Sequence, residues 1–142
     1  MKAKHMLQRA LRRVVIIGGI AALSVASAAP AAQAWSQNWP SEATYRASYD
    51  FIPTRSSVRI GGTACTGADG TAFKLTLMRT SGASVIYTAP RKAVDNTWHY
   101  IDTTTPYANQ AHYMRHTTER YSTSSGIWVN AFSLCQGVSA TW

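Results

Sequence analysis

The residues best placed to do chemistry are His112, His116 and Glu119, spaced H-x-x-x-H-x-x-E with Arg115 and Arg120 beside them. On a helix, positions i and i+4 share a face and two histidines there could hold one metal ion. On a strand the same two histidines also share a face but stand about 13 Å apart. The flanking Tyr113, Thr117, Thr118 and Tyr121 favour a strand, so the expectation is a pair of solvated or cross-strand polar histidines and no metal. A hydrolase arrangement with Glu119 as base, a histidine as acid and an arginine on phosphate has its residue types here. Acid–base chemistry needs hydrogen-bond reach first, and nothing in the spacing supplies it. No G-x-S-x-G elbow is present for serine catalysis. Gly61-Gly62 and Gly67-x-x-Gly70 lack the lysine and strand–loop–helix context of a phosphate loop. His99, between two aromatics, reads as a wall residue. The expectation is therefore no enzyme and no cofactor.

Five tryptophans are the other candidate signal. Trp98 and Trp128 fall inside expected strands and are expected in the core. Trp35, Trp39 and Trp142 lie at the ends of the domain, where burial is not forced. Aromatic side chains with a polar tip suit binding surfaces. Trp35 and Trp39, with Tyr45 and Tyr49 following, are the expected partner-binding residues. They would sit on an extended arm that inserts into a groove or pairs with a sheet edge, and two exposed coplanar rings would instead stack on sugars.

The elements that must carry these residues begin after residue 34. Lys2, Lys4, Arg9, Arg12 and Arg13 precede the apolar stretch Val14 to Ala29, and Ala32-Gln33-Ala34 has the small residues a signal peptidase reads. Residues 1–34 are thus expected to be a signal peptide, with Ala26-Ser27-Ala28 as a second cleavage site. The apolar run falls short of the roughly 18–20 residues of a membrane span, so a secreted product with no stable membrane insertion is expected. Of the fourteen basic residues, five precede Trp35, while all six acidic ones follow it. The nominal +8 becomes nine basic against six acidic residues, or +3. Those arginines are scattered rather than clustered in a stripe, which argues against nucleic acid.

The remaining 108 residues suit one domain. Residues 35–55 are expected to form the arm and first strand, and 56–142 a β-sandwich core. Serine and threonine supply 28 of the 108 residues, and all fifteen aromatics fall in this part, a composition that suits pleated sheet. Alternation marks strands over Tyr45–Phe51, Val58–Cys65, Ala72–Thr80, Ser84–Ala89, Thr97–Thr103, Ala111–Tyr121 and Ile127–Cys135, with a terminal segment over Val138–Trp142. Gly61-Gly62 suggests a bulge or close backbone approach, and Gly67–Gly70 a turn. Ile127–Cys135, apolar on both sides, reads as central and well covered. About seven strands separated by turn signals predict an all-β, single small antiparallel β-sandwich. Cys65 and Cys135 are the only cysteines, and in an exported chain they are expected to pair. Closing a loop of this length is worth roughly 4 kcal/mol in the chain-entropy model.

Signal peptide, single disulfide and a Thr/Tyr/Trp-rich sandwich resemble the small secreted proteins of actinobacteria. The stretch from Phe73-Lys74-Leu75-Thr76-Leu77 through Trp98 to Tyr107–Arg115 is similar to their layout. Within that group, the Cys65–Cys135 pair and the aromatic segment from Trp35 resemble the strap-type adaptor of umbrella toxin particles. The resemblance implies a disulfide-bonded sandwich that links a toxin stalk to lectin subunits, partly through its N-terminal segment. The expected function is a secreted, non-catalytic protein-binding adaptor, possible partners being other secreted proteins or cell-surface glycans. A secreted glycan-binding module and a small secreted enzyme inhibitor or hydrolase are the alternatives.

Overall fold

The computed structural model describes residues 32–65 and 70–142. Most of the expected signal peptide and of the Gly67–Gly70 turn lies outside the described residues. Among the described residues ten strands form, all paired antiparallel, in two sheets. They are β1 Ala34–Trp39, β2 Tyr45–Ala47, β3 Ser57–Ala64, β4 Thr71–Arg79, β5 Ser84–Thr88, β6 Lys92–Ala93, β7 His99–Thr104, β8 His112–Ser122, β9 Ile127–Asn130 and β10 Gln136–Thr141. One sheet runs β1-β10-β3-β7. The other runs β2-β8-β4-β5, with β6 also on β4 and β9 also on β8.

Alternation explains which residues meet between the sheets. On β4, Phe73, Leu75 and Leu77 are buried and face inward; on β3, Val58 and Ile60 do the same. Phe51, Ala64, Ala89, Met114, Val138 and Ala140 join them in the core. Gly62 lies on the inner face of β3, where a Cβ would meet Leu75 at 2.8 Å and Phe73 at 3.0 Å. The ladders of β3 run through both glycines without a shift. The Gly-Gly pair therefore serves close approach, not a bulge. A bulge does occur in β4–β5, between Leu77 and Met78.

Cys65 and Cys135 are bonded, with their Cα atoms 5.0 Å apart. They extend the β3–β10 ladder by one step, as Cys65 N–H donates to the Cys135 carbonyl at 3.0 Å. Ser133 Oγ sits 2.8 and 2.7 Å from the carbonyls of Cys65 and Cys135.

Three expectations about the elements change. Trp35–Trp39 is not a free arm but most of β1, paired along its length with β10. Trp35 stacks on Phe51 with centroids 5.0 Å apart, and Trp39 and Trp142 also pack on the core. The ladder to β10 and the partial burial of Trp35 and Trp39 against the core hold that strand. Second, Ile127–Cys135 is not central. Only Ile127–Asn130 is a strand, at the end of β8, and Ile127, Phe132 and Leu134 are exposed. Third, Trp98 and Trp128 lie on outer sheet faces, each 36% exposed, instead of in the core.

Candidate functional site

Strand geometry separates the three residues that spacing offered for catalysis. Along β8, His112, Met114, His116 and Thr118 point inward and are fully buried. Glu119 has the opposite parity and points to the outer face. The structure therefore does not bring His112, His116 and Glu119 together. Among the described residues no group of three His, Cys, Asp or Glu could hold a metal ion.

Both histidines are buried rather than solvated, and each is held neutral. His112 Nδ1 donates to the Gln110 carbonyl at 2.7 Å, and Nε2 lies 2.8 Å from Thr105 Oγ1. That hydroxyl oxygen accepts the Tyr107 N–H, leaving its proton for Nε2. Burial pushes the His112 pKa down, outweighing the Gln110 bond. His116 Nε2 donates to the Thr63 carbonyl at 3.1 Å, its ring stacks on Phe73, and its Nδ1 has no partner among the described residues. Burial holds its pKa down at about 4. A general acid near neutral pH needs the opposite shift. These are core histidines.

Glu119 pairs with residues distant in sequence, not with Arg115 or Arg120. Lys74 Nζ donates to Oε1 at 3.0 Å and Arg91 Nε to Oε2 at 2.6 Å. Burial alone would raise its pKa, but the two cations lower it overall. Arg91 also lies over the Trp128 ring, 4.6 Å from its centroid, and Trp128 meets Tyr121 edge-on. Both carboxylate oxygens are thus committed to cations, which leaves a structural clamp on the outer face.

Asp95, Thr97 and His99 form the remaining polar cluster. Thr97 Oγ1 donates to Asp95 Oδ1 at 2.7 Å, and His99 Nε2 reaches the same oxygen at 2.9 Å. The bonds from Thr97 and His99 push the Asp95 pKa down to about 2. The threonine proton goes to the carboxylate rather than to the imidazole, so this is not a nucleophile relay. His99 does border an aromatic, Phe73, as expected of a wall residue.

Of the four expected partner-binding residues, the structure separates two from two. Trp35 and Trp39 turn into the domain. Tyr45 and Tyr49 are exposed, Tyr49 at 78%. Two surfaces escaped sequence reasoning. One is the apolar edge running from Ile127 through Trp128 and Phe132 to Leu134. The other is the outer face of the β1-β10-β3-β7 sheet, where Trp98 and Tyr100 lie with centroids 6.1 Å apart and planes 16° apart. The i, i+2 spacing of Trp98 and Tyr100 was the available signal for the second.

No protein-family model matches the chain, and no curated protein matches it. Among solved structures the chain is similar to the infectious bursal disease virus VP2 subviral particle, at TM-score 0.42 and 12% identity. That likeness covers 78% of this chain and 32% of the viral one, about a third of its length. At that TM-score it fixes neither fold nor function. No helix among the described residues is long and apolar enough to cross a membrane.

Proposed function

We propose that this protein is an exported, non-catalytic adaptor that binds another secreted protein along the edge formed by β9 and the chain from Ala131 to Cys135. One observation carries the reading: Phe132 and Leu134 are 63% and 60% exposed on the rim of a sheet. β9 pairs only with β8 among the described residues, so its other edge can accept a further strand. Exposed apolar edges template pairing with another chain, and added strands gain main-chain hydrogen bonds with side-chain pockets for specificity. The Ala43–Ser133 bridge brings the segment leading to Tyr45 alongside this edge, which extends the same surface.

The disulfide supports an oxidising compartment, and the basic-then-apolar N-terminal sequence supports export. The resemblance to strap-type adaptors supplies the context of a secreted antibacterial assembly. The test is affinity purification of the tagged full-length protein from its native culture, followed by mass spectrometry. Companion proteins should co-purify with the wild type and be lost from a Phe132→Asp/Leu134→Asp variant that keeps its circular dichroism spectrum. Companions retained by that folded variant, or none with the wild type, would overturn the proposal.

A further inference from the structure

The outer face of the β1-β10-β3-β7 sheet carries an arrangement that the adaptor reading does not use. Outward residues on β7 and the position before it are Trp98, Tyr100, Asp102 and Thr104. At strand spacing this row is roughly 20 Å long. Its aromatic half lies along the sheet. The Tyr100 ring occupies the space above Gly61, where a Cβ would meet Cδ1 and Cε1 at 2.7 Å. Trp98 reaches across β3 to β10, where a Cβ on Gly137 would lie 3.1 Å from its Cη2. Glycine at both positions lets the rings approach the backbone, and their planes lie 16° apart. Trp98 is 36% and Tyr100 56% exposed.

The surroundings are polar but electrically balanced. Ser139 Oγ borders Tyr100, and Asn38 Oδ1 and Thr63 border the tip of Trp98 at the two glycines. Beyond Tyr100, Arg59 grips Asp102 through Nε–Oδ1 at 2.7 Å and Nη2–Oδ2 at 3.0 Å. The row ends at an open recess of about 550 Å³, lined in part by Arg55, Ser57, Thr104 and Thr141.

We propose that this face binds an uncharged linear polysaccharide, with Trp98 and Tyr100 as its stacking platform and the Arg59–Asp102 pair and neighbouring hydroxyls as its polar contacts. The electron-rich faces of the rings attract the weakly positive C–H faces of pyranose rings. Hydroxyl, amide, guanidinium and carboxylate groups beside them match the mixed donors and acceptors of sugar hydroxyls. A nucleic acid, whose bases also stack, would need a row of cations for its phosphates. Here Arg59 is paired with Asp102, and Arg55 at the recess does not by itself make such a row. An open row suits a chain passing along the sheet rather than one sugar end enclosed in a pocket.

This proposal stands apart from the adaptor reading, which rests on the edge of the other sheet. The test uses the full-length secreted protein with cellulose and chitin in pull-downs, and with cellohexaose and chitohexaose in titration calorimetry. Heparin and alginate serve as acidic comparators. At least one neutral polymer should retain the protein, and its hexaose should shift tryptophan fluorescence. Trp98→Ala and Tyr100→Ala should each weaken binding roughly tenfold, as expected for losing one stacked ring, while Phe132→Asp/Leu134→Asp leaves it unchanged. Failure of every neutral polymer to retain folded protein would overturn the proposal. So would retention by the acidic polymers alone, or neutral binding that survives Trp98→Ala/Tyr100→Ala.

Discussion

His116 Nε2 donates to the carbonyl of Thr63 at 3.1 Å, and this one bond ties β8 of one sheet to β3 of the other. It does so with the ring buried and neutral, and with Nδ1 lacking a partner among the described residues. Stability must therefore depend on pH.

The folded His116 pKa of about 4 lies below the ordinary value of 6.5. The unfolded chain binds the proton first as pH falls. Stability is full above about 6.5, declines between about 6.5 and 4, and is then level for this residue. The linkage amounts to about 3 kcal/mol. The lowered pKa of His112 acts in the same direction. Urea unfolding at pH 7.5 and 4.5 should show a large drop in midpoint, and His116→Gln should flatten it. A wild-type midpoint independent of pH would contradict a buried neutral imidazole.

Gly62→Ala should destabilise the protein by about 1–3 kcal/mol, the range for an overpacked core. Its Cβ would press on Leu75 and Phe73 between the sheets. Gly61→Ala should cost less, because Tyr100 on the outer face is free to swing toward solvent. Thermal unfolding of the two variants measures the difference, and equal losses would place the two glycines in equivalent surroundings.

Trp35→Ala should cost about 3 kcal/mol, the low end for truncating a large aromatic, because its ring only partly leaves solvent. It removes the ring that covers Phe51 and anchors β1. Removing Trp35–Ser41 altogether would strip an edge strand and uncover the core, so lost partner binding in that deletion would report on folding. Denaturant midpoints of Trp35→Ala and the wild type provide the check.

Reducing the Cys65–Cys135 bond should lower stability by about 4 kcal/mol, as expected for opening a 70-residue loop. The comparison is unfolding with and without dithiothreitol, with a Cys65→Ser/Cys135→Ser variant insensitive to the reagent. No change on reduction would mean that the β3–β10 ladder holds the chain end unaided.

The β1–β10 pairing bears on the two expected cleavage sites. Gln33 N–H donates to the Trp142 carbonyl at 2.9 Å, Trp142 N–H to that of Gln33 at 3.0 Å, and Trp142 Nε1 to Gln33 Oε1 at 2.8 Å. Cleavage after Ala34 would discard all three bonds; cleavage after Ala28 keeps them. N-terminal sequencing of an exported product distinguishes the two: a start at Ala29 keeps these bonds, and a start at Trp35 means that the β1–β10 ladder holds without them.

By itself the sequence determined what is local. Alternation in Phe73–Leu77, Trp98–Asp102 and His112–Thr118 sets which side chains share a strand face, since the period of a strand is two wherever it lies. The pairing of Cys65 with Cys135 follows from there being only two cysteines, while Gly61-Gly62 allowed a bulge or a close approach, between which the unshifted β3 ladders decided. Tertiary structure decided what covers each face. Ile127–Cys135 and Ala72–Thr80 are both apolar segments, yet one ends on a rim and the other in the middle of a sheet, because neighbours come from ladders joining distant residues. The same long-range pairing turned His112 and His116 inward while Glu119 found Lys74 and Arg91 outside. It also packed Trp35, Trp39 and Trp142 half-buried against the core and left Trp98 and Trp128 on outer faces. Periodicity carries the parity of a side chain; only the assembled sheets say which parity is inside.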